Sequence, residues 1–143
     1  TVPQLVVYRQ NEKYANSRLS DGECLAISNK LNTLMQKDKM FLQPNYSINQ
    51  LADAVQCSRH HLSQVLNDKL HLSFNDYING LRIEETRRLL LDPKCQQYKI
   101  SSIAYDAGFN SLSTFNEVFR KHTGKTPSDY RKELLKQEQK QRV

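Results

Sequence analysis

Disulfide pairing, low-complexity sequence, membrane-length apolar runs and strand-like alternation are all scarce or missing in this chain. Its 143 residues contain only 4 Gly and 4 Pro, which excludes collagen-like and low-complexity architectures. No apolar run approaches the ~20 residues needed to cross a bilayer, and no stretch has the pattern of a signal peptide. The three cysteines, Cys24, Cys57 and Cys95, are odd in number and irregularly spaced. A secreted disulfide scaffold would want an even set in a shorter chain, so a reducing, cytoplasmic compartment is expected. The one β-like run, Leu5-Val6-Val7-Tyr8, is too short and isolated to build a sheet. Charge of one sign is not concentrated either. The 21 basic and 15 acidic residues give +6, but residues 1–40 hold six basic and four acidic groups, residues 41–135 twelve and ten, and the last eight three and one. An anionic partner would therefore meet a footprint made by folding, not by a charge run.

What is present is helical periodicity, from Ser20 onward. Ser20 with Glu23 forms a capping-box signature, and Ile27, Leu31, Leu34 and Met35 recur at helix spacing, predicting an amphipathic helix over about 21–38. Its apolar stripe is expected to pack on the helices C-terminal to it, with a dimerisation stripe as the sharper alternative. Residues 1–16 lack periodicity and are expected to fray or to belong to an upstream region. The chain opens at Thr1 with no Met, the mark expected of a fragment of something longer.

A repeat then emerges. Ile48, Leu51, Ala52 and Val55 align with Ile100, Ile103, Ala104 and Ala107 at an offset of 52 residues. After a one-residue slip, Leu62, Val65 and Leu66 align with Phe115, Val118 and Phe119, and Asp76-Tyr77 falls on Asp129-Tyr130. Two copies of one small helical unit are the simplest account.

Each copy reads as helix, tight turn, helix. Ser47 caps the first helix of the first copy, Gln56-Cys57-Ser58 breaks it, and a second helix runs from Arg59 to about Asn67. In the second copy Ser101 or Ser102 starts the helix, Gly108 ends it and Phe109-Asn110-Ser111 makes the turn. Gly108 suits a left-handed backbone, and Gln56 at the equivalent place would be mildly strained there. Ala52 and Ala104 sit where two helices would cross closely. This spacing is that of a helix-turn-helix. Between the copies, Ser73 to Asp92 reads as one long helix with Tyr77, Ile78, Leu81, Ile83, Leu89 and Leu90 as its apolar positions. Asp92-Pro93 stops it, and Gly80 in its middle costs roughly 1 kcal/mol against Ala and offers a bend. At ~1.5 Å per residue such a helix spans about 27 Å, comparable to the ~34 Å between successive major grooves on one face of B-DNA.

The second helix of each copy has two faces. With Leu62, Val65 and Leu66 inward, Arg59, His60, Ser63, Gln64 and Asn67 point outward. With Phe115, Val118 and Phe119 inward, the outward set is Leu112, Ser113, Asn116, Glu117 and Arg120. Gln64 and Asn116 suit bidentate contact to adenine, Glu117 accepts from the cytosine amino group, Leu112 fits a thymine methyl, His60 serves a base edge, and Arg59 reaches guanine or phosphate. A solvated helix face is the plain alternative for either set alone. Ser58 and Ser111 lie at helix starts that attract anions, and Arg120, Lys121, Lys125, Arg131 and Lys132 cluster around the second copy as phosphate contacts or solvated charges.

The stretch from Asn45 to Glu133 resembles the DNA-binding domain of AraC-type bacterial transcription regulators. The resemblance is carried by Ser47-Ile-Asn-Gln-Leu-Ala-Asp-Ala-Val, Ser58-Arg-His-His-Leu-Ser-Gln-Val-Leu, Ile103-Ala-Tyr-Asp-Ala-Gly-Phe-Asn-Ser, Phe115-Asn-Glu-Val-Phe-Arg-Lys and Thr123-Gly-Lys-Thr-Pro-Ser-Asp-Tyr-Arg131. It implies an all-α, two-lobed, seven-helix fold: two tandem helix-turn-helix subdomains joined by a long linker helix and preceded by one amphipathic helix. The chain then divides into a lead-in segment 1–40, a DNA-binding domain 41–135 and a basic polar tail 136–143. Within the domain, the helix-turn-helix units fall at about 47–67 and 100–122, and the linker at about 73–92. The family's base-reading positions fall on His60, Ser63 and Gln64, and on Leu112, Ser113, Asn116 and Glu117. Ser58, Arg59, Ser111, Arg120, Lys121 and Arg131 are the expected phosphate set. Gln56, in place of a common turn glycine, and Gly80 depart from the pattern. The lead-in, with Tyr14, Leu19 and the 21–38 stripe, resembles the segment joining such domains to larger sensory regions, some membrane-embedded. The resemblance further implies double-stranded DNA as partner, contact with RNA polymerase, and pairing of two copies through an upstream sensory region.

No cofactor and no enzyme activity are expected. Cys57, His60 and His61 lie close in sequence, but adjacent helical histidines point about 100° apart and lack a second zinc-type cluster. The competing class is a helical protein-interaction module whose outward faces meet an acidic partner.

Overall fold

The computed structural model describes residues 18–141; the Leu5–Tyr8 run, Tyr14 and the expected fraying of 1–16 lie outside them. Seven α-helices succeed one another among the described residues, with no strand: α1 Asp21–Thr33, α2 Ile48–Val55, α3 Arg59–Val65, α4 Phe74–Leu91, α5 Ile100–Asp106, α6 Leu112–Thr123 and α7 Pro127–Gln141. Two compact units divide the chain: Tyr46–Tyr77 joins the segment before Phe41 in the first, and Phe41–Asn45 joins Ile78 onward in the second.

In the first unit, α1 starts as its sequence dictates. Ser20 Oγ accepts from the Glu23 N–H at 3.2 Å, and Glu23 Oε1 accepts from the Ser20 N–H at 3.3 Å, satisfying two donors that a helix start leaves unpaired. Its Cys24, Ile27 and Leu31 are buried, as is Met35 in the wide π-type turn Leu34–Asp38 after it. The α1 stripe packs on α2 and α3. At the same junction Lys30 Nζ donates to the Val55 carbonyl at 3.4 Å. The pair α2 and α3 is the helix-turn-helix: Ser47 closes a second capping box with Gln50, and Leu51, Ala52, Val55, Leu62, Val65 and Leu66 are buried. Gln56 sits in the turn at φ 61°, the left-handed geometry read from its alignment with Gly108. A π-type turn, Leu66–Leu70, extends α3.

The second unit is built on Ile83, Leu90, Ile103, Ala104, Ala107, Phe109, Phe115 and Phe119. Its aromatic rings meet in sequence: Phe109 is edge-on to Phe115 at 5.1 Å, Phe115 tilts against Phe119 at 5.6 Å, and Phe119 meets Tyr130 edge-on at 5.3 Å. Such offset geometry suits ring quadrupoles. It explains the second Asp-Tyr of the repeat, because Tyr130 closes the row from α7.

Two expectations about local structure change. Helix α5 begins at Ile100 with Lys99 as an N-cap lacking a side-chain hydrogen bond, so neither Ser101 nor Ser102 starts it. The stretch from 136, read as a polar tail, continues α7 to Gln141, since Gln, Glu and Lys favour helix. Helix α4 is one helix through Gly80, as its sequence reads, and an added Cβ there would meet only His122 Cε1 at an ordinary 3.6 Å. Its start does agree with the sequence: the Ser73 hydroxyl accepts from the Asp76 N–H at 3.1 Å. No described helix is long and apolar enough to cross a membrane.

Candidate nucleic-acid interface

The candidate surfaces are α3 in the first unit and α6 in the second. Both begin on the same device at an offset of 53 residues. Ser58 Oγ accepts from the His61 N–H at 3.0 Å, and Ser111 Oγ accepts from the Thr114 N–H at 3.3 Å. Each hydroxyl therefore accepts one bond from its own helix and keeps its proton for an outside acceptor.

On α6 the faces separate cleanly. Phe115 and Phe119 are buried, while Leu112, Ser113, Asn116, Glu117, Arg120 and Lys121 are exposed. Leu112 is 37% exposed, one of eight large apolar side chains exposed among the described residues. Asn116, Glu117, Arg120 and Lys121 line an open groove of about 760 Å³ with Ile100 and with Thr126, Pro127 and Ser128 at the start of α7. The sequence reading missed these last four residues. The signal for them was the Thr126-Pro127 pair, a helix start with proline in the first turn. There Thr126 Oγ1 accepts from the Asp129 N–H at 3.2 Å. The last turn of helix α6 carries Arg120 and Lys121 before Gly124 at φ 76°, so these cations oppose the negative end of the helix dipole.

On α3 the faces are less distinct. Arg59 and His60 are exposed, but Ser63 and Gln64 are half-buried. The His60 and His61 rings lie 6.1 Å apart and tilted at 53°. Among the described residues no group of three or more His, Cys, Asp or Glu is placed to hold a metal ion. Cys57 in the turn is half-buried, and burial pushes its thiol up to about 11 despite the nearby Lys30 charge, which makes it a poor nucleophile.

The basic cluster of the second unit does not act as one group. Arg131 donates through Nη1 to the Tyr98 carbonyl at 2.6 Å and through Nη2 to the carbonyls of Cys95, at 3.0 Å, and Gln96. A guanidinium fork occupied by three carbonyls is a clamp on the Pro93–Tyr98 loop, a role different from the phosphate contact expected of Arg131. Lys125 is paired with Glu133. Lys132 is exposed.

Two small helices about a tight turn, occurring twice with the second helix of each copy capped by a serine, define a double helix-turn-helix domain. The family described as "Helix-turn-helix domain" matches residues 51–133. The chain belongs to this AraC-type helix-turn-helix family of DNA-binding domains. It is 33% identical over 105 residues to the melibiose operon regulatory protein of Escherichia coli, covering 71% of this chain and 33% of that protein. It is 31% identical over 87 residues to the Msm operon regulatory protein of Streptococcus mutans, covering 61% of this chain and 30% of that protein. The chain thus spans about a third or less of the curated relatives it matches. Among solved structures, the C-terminal domain of AraT, a response regulator from Geobacillus stearothermophilus, matches with a TM-score of 0.64 at 26% identity, covering 81% of this chain and 88% of that one. The DNA-binding domain of AdpA in complex with a target DNA shares the fold, with a TM-score of 0.62 at 18% identity over 74% of this chain and 89% of that one.

Proposed function

We propose that this chain is the sequence-specific, double-stranded-DNA-reading part of a longer bacterial transcription regulator, with α3 and α6 entering successive major grooves. The observation that carries it is the exposed face of α6. Asn116 and Glu117 are base-competent, Leu112 is an exposed apolar contact, and Arg120 and Lys121 flank them on the same groove. Asn116 suits adenine, Glu117 the cytosine amino group and Leu112 a thymine methyl. Arg120 and Lys121 would hold phosphates and set register. On α3 the readers are His60, Ser63 and Gln64, with Arg59 and the Ser58 hydroxyl at the backbone; Ser111 plays that second part on α6.

The relatives are named as operon regulators and are longer than this chain, which supports its being part of a longer regulator; an upstream sensory region is proposed with it. Pairing of two copies through that region, contact with RNA polymerase and a cytoplasmic location belong to the same proposal. The activity is binding, and no catalytic step is assigned.

Fluorescence anisotropy tests it. A duplex enriched from a random library should bind this chain with an affinity that falls steeply as salt rises, and should resist scrambled competitors. Equal affinity for every duplex at moderate salt, or no enrichment at all, overturns the reading and favours a helical module that meets an acidic protein.

A further inference from the structure

We propose that Arg82 is a positioning residue for the second recognition helix, acting by latching the segment Phe41–Asn45 onto the turn that launches α6. This deepens the DNA-reading proposal and rests on it.

The observations lie within the second unit. Arg82, on α4, donates from Nε to the Phe41 carbonyl at 2.8 Å and from Nη2 to the Gln43 carbonyl at 3.0 Å. Its guanidinium also lies over the Phe109 ring, 5.9 Å from the centroid. Both hydrogen-bond acceptors are neutral carbonyls, and burial pulls the guanidinium below its usual range. A cation held there against a desolvation cost is justified by what it orders.

What it orders is the helix-turn-helix turn. Gly108 stands at φ +102°, and a Cβ there would collide with the Phe41 carbonyl and come within 2.9 Å of Arg82 Nε. The missing side chain is thus the seat for the Phe41 backbone. At the far end of the segment, Asn45 takes the left-handed backbone at φ 62°, and its Oδ1 accepts from Asn110 Nδ2. Asn110 immediately precedes Ser111, the N-cap of α6. The turn from Gly108 to Asn110 is held at both ends by the Phe41–Asn45 strap, and Arg82 holds the strap. A recognition helix reads bases only if its entry angle is fixed, because base-edge hydrogen bonds are directional.

The test uses duplexes selected from a random library with the unaltered chain, and scores base preference at every position. Asn116→Ala first marks the positions read by α6. Arg82→Gln and Asn45→Ala are then compared with it, each with a melting curve. The expected result is a loss of discrimination, about tenfold or more, at those α6 positions. Preference at positions marked by Gln64→Ala should persist, and Arg82→Lys should restore only part of the loss. Asn45 is exposed, so its variant keeps the test open if Arg82→Gln fails to fold. A lowered melting temperature with preference unchanged at every position, or an equal loss at both sets, overturns the proposal. A chain that enriches no duplex instead overturns the DNA-reading proposal itself.

Discussion

Gln56 and Gly108 occupy the same place in the two copies, and both hold the left-handed backbone, at φ 61° and φ 102°. The chemistry at the two sites is opposite. Gln56 is exposed, whereas Gly108 faces the Phe41 carbonyl. A left-handed non-glycine residue costs roughly 1–2 kcal/mol, part of which glycine gives back through its freedom in the unfolded chain. Gln56→Gly should therefore raise stability by about 0.5–1 kcal/mol, even with the long 3.5 Å contact from Lys30 Nζ removed. Gly108→Ala combines the backbone cost with a steric collision and should lower stability by more than about 2 kcal/mol. Urea unfolding of the two variants measures both signs, and two losses of equal size would contradict this account.

The α6 face makes a sharper demand than the α3 face. Asn116→Ala should cost roughly 1–3 kcal/mol at one base position and leave the other positions alone. Gln64→Ala should do the same at a different position, but Gln64 is half-buried, so its variant should also shift the melting temperature. Binding to single-base duplex variants, with a melting curve for each protein, separates these effects. A uniform loss across all positions for Asn116→Ala would mean that it anchors the helix and does not read.

The outline of both units was legible because apolar residues at helix spacing repeat along the chain. Ile48 with Ile100 and Leu62 with Phe115 align without any structure. Capping was equally readable at Ser20, Ser47 and Ser73, where one hydroxyl three residues before a donor suffices. It failed at Ile100, because Lys99 begins that helix with backbone geometry alone. The exposed positions on α6 were legible as the remainder after burying Phe115 and Phe119. Charges were not, because nothing local tells a solvated arginine from one folded onto carbonyls. Arg82 is bound to residues 39 to 41 positions away, and Arg131 to carbonyls 33 to 36 positions away. Only one hint stood in the sequence: Arg82 sits between Leu81 and Ile83, inside the apolar stripe of α4.

The Cys57 thiol provides a pH test of the first unit. Burial raises it from an ordinary 9.0 to about 11, so the folded state holds that proton more tightly than the unfolded state. Its contribution to stability is complete below about pH 9 and is lost as pH rises through about 11. The comparison must be with Cys57→Ala, so that every other group is common to both proteins. Urea unfolding from pH 8 to 11 should show the unaltered chain losing more stability than the variant above pH 9. Parallel curves would place the thiol in solvent.

Arg120 and Arg131 both belong to the basic cluster of the second unit, yet they should fail in opposite ways. Arg120 is exposed on the α6 groove, so Arg120→Ala should lower the melting temperature only slightly, by its helix-dipole contribution. It should weaken binding to all duplexes alike and reduce the slope of log affinity against log salt by about one. Arg131 holds three carbonyls of the Pro93–Tyr98 loop, and hydrogen bonds to a charged group contribute about 1.5–3 kcal/mol when shielded. The side chain is half-buried, so solvent reduces that figure, and Arg131→Ala should destabilise by about 1–2 kcal/mol. Because its charge is turned onto the protein, the salt slope should stay as it was. A salt titration and a melting curve on each variant decide the matter. If Arg131→Ala lowers the slope by about one with no change in melting, its guanidinium leaves the loop for a phosphate when DNA binds.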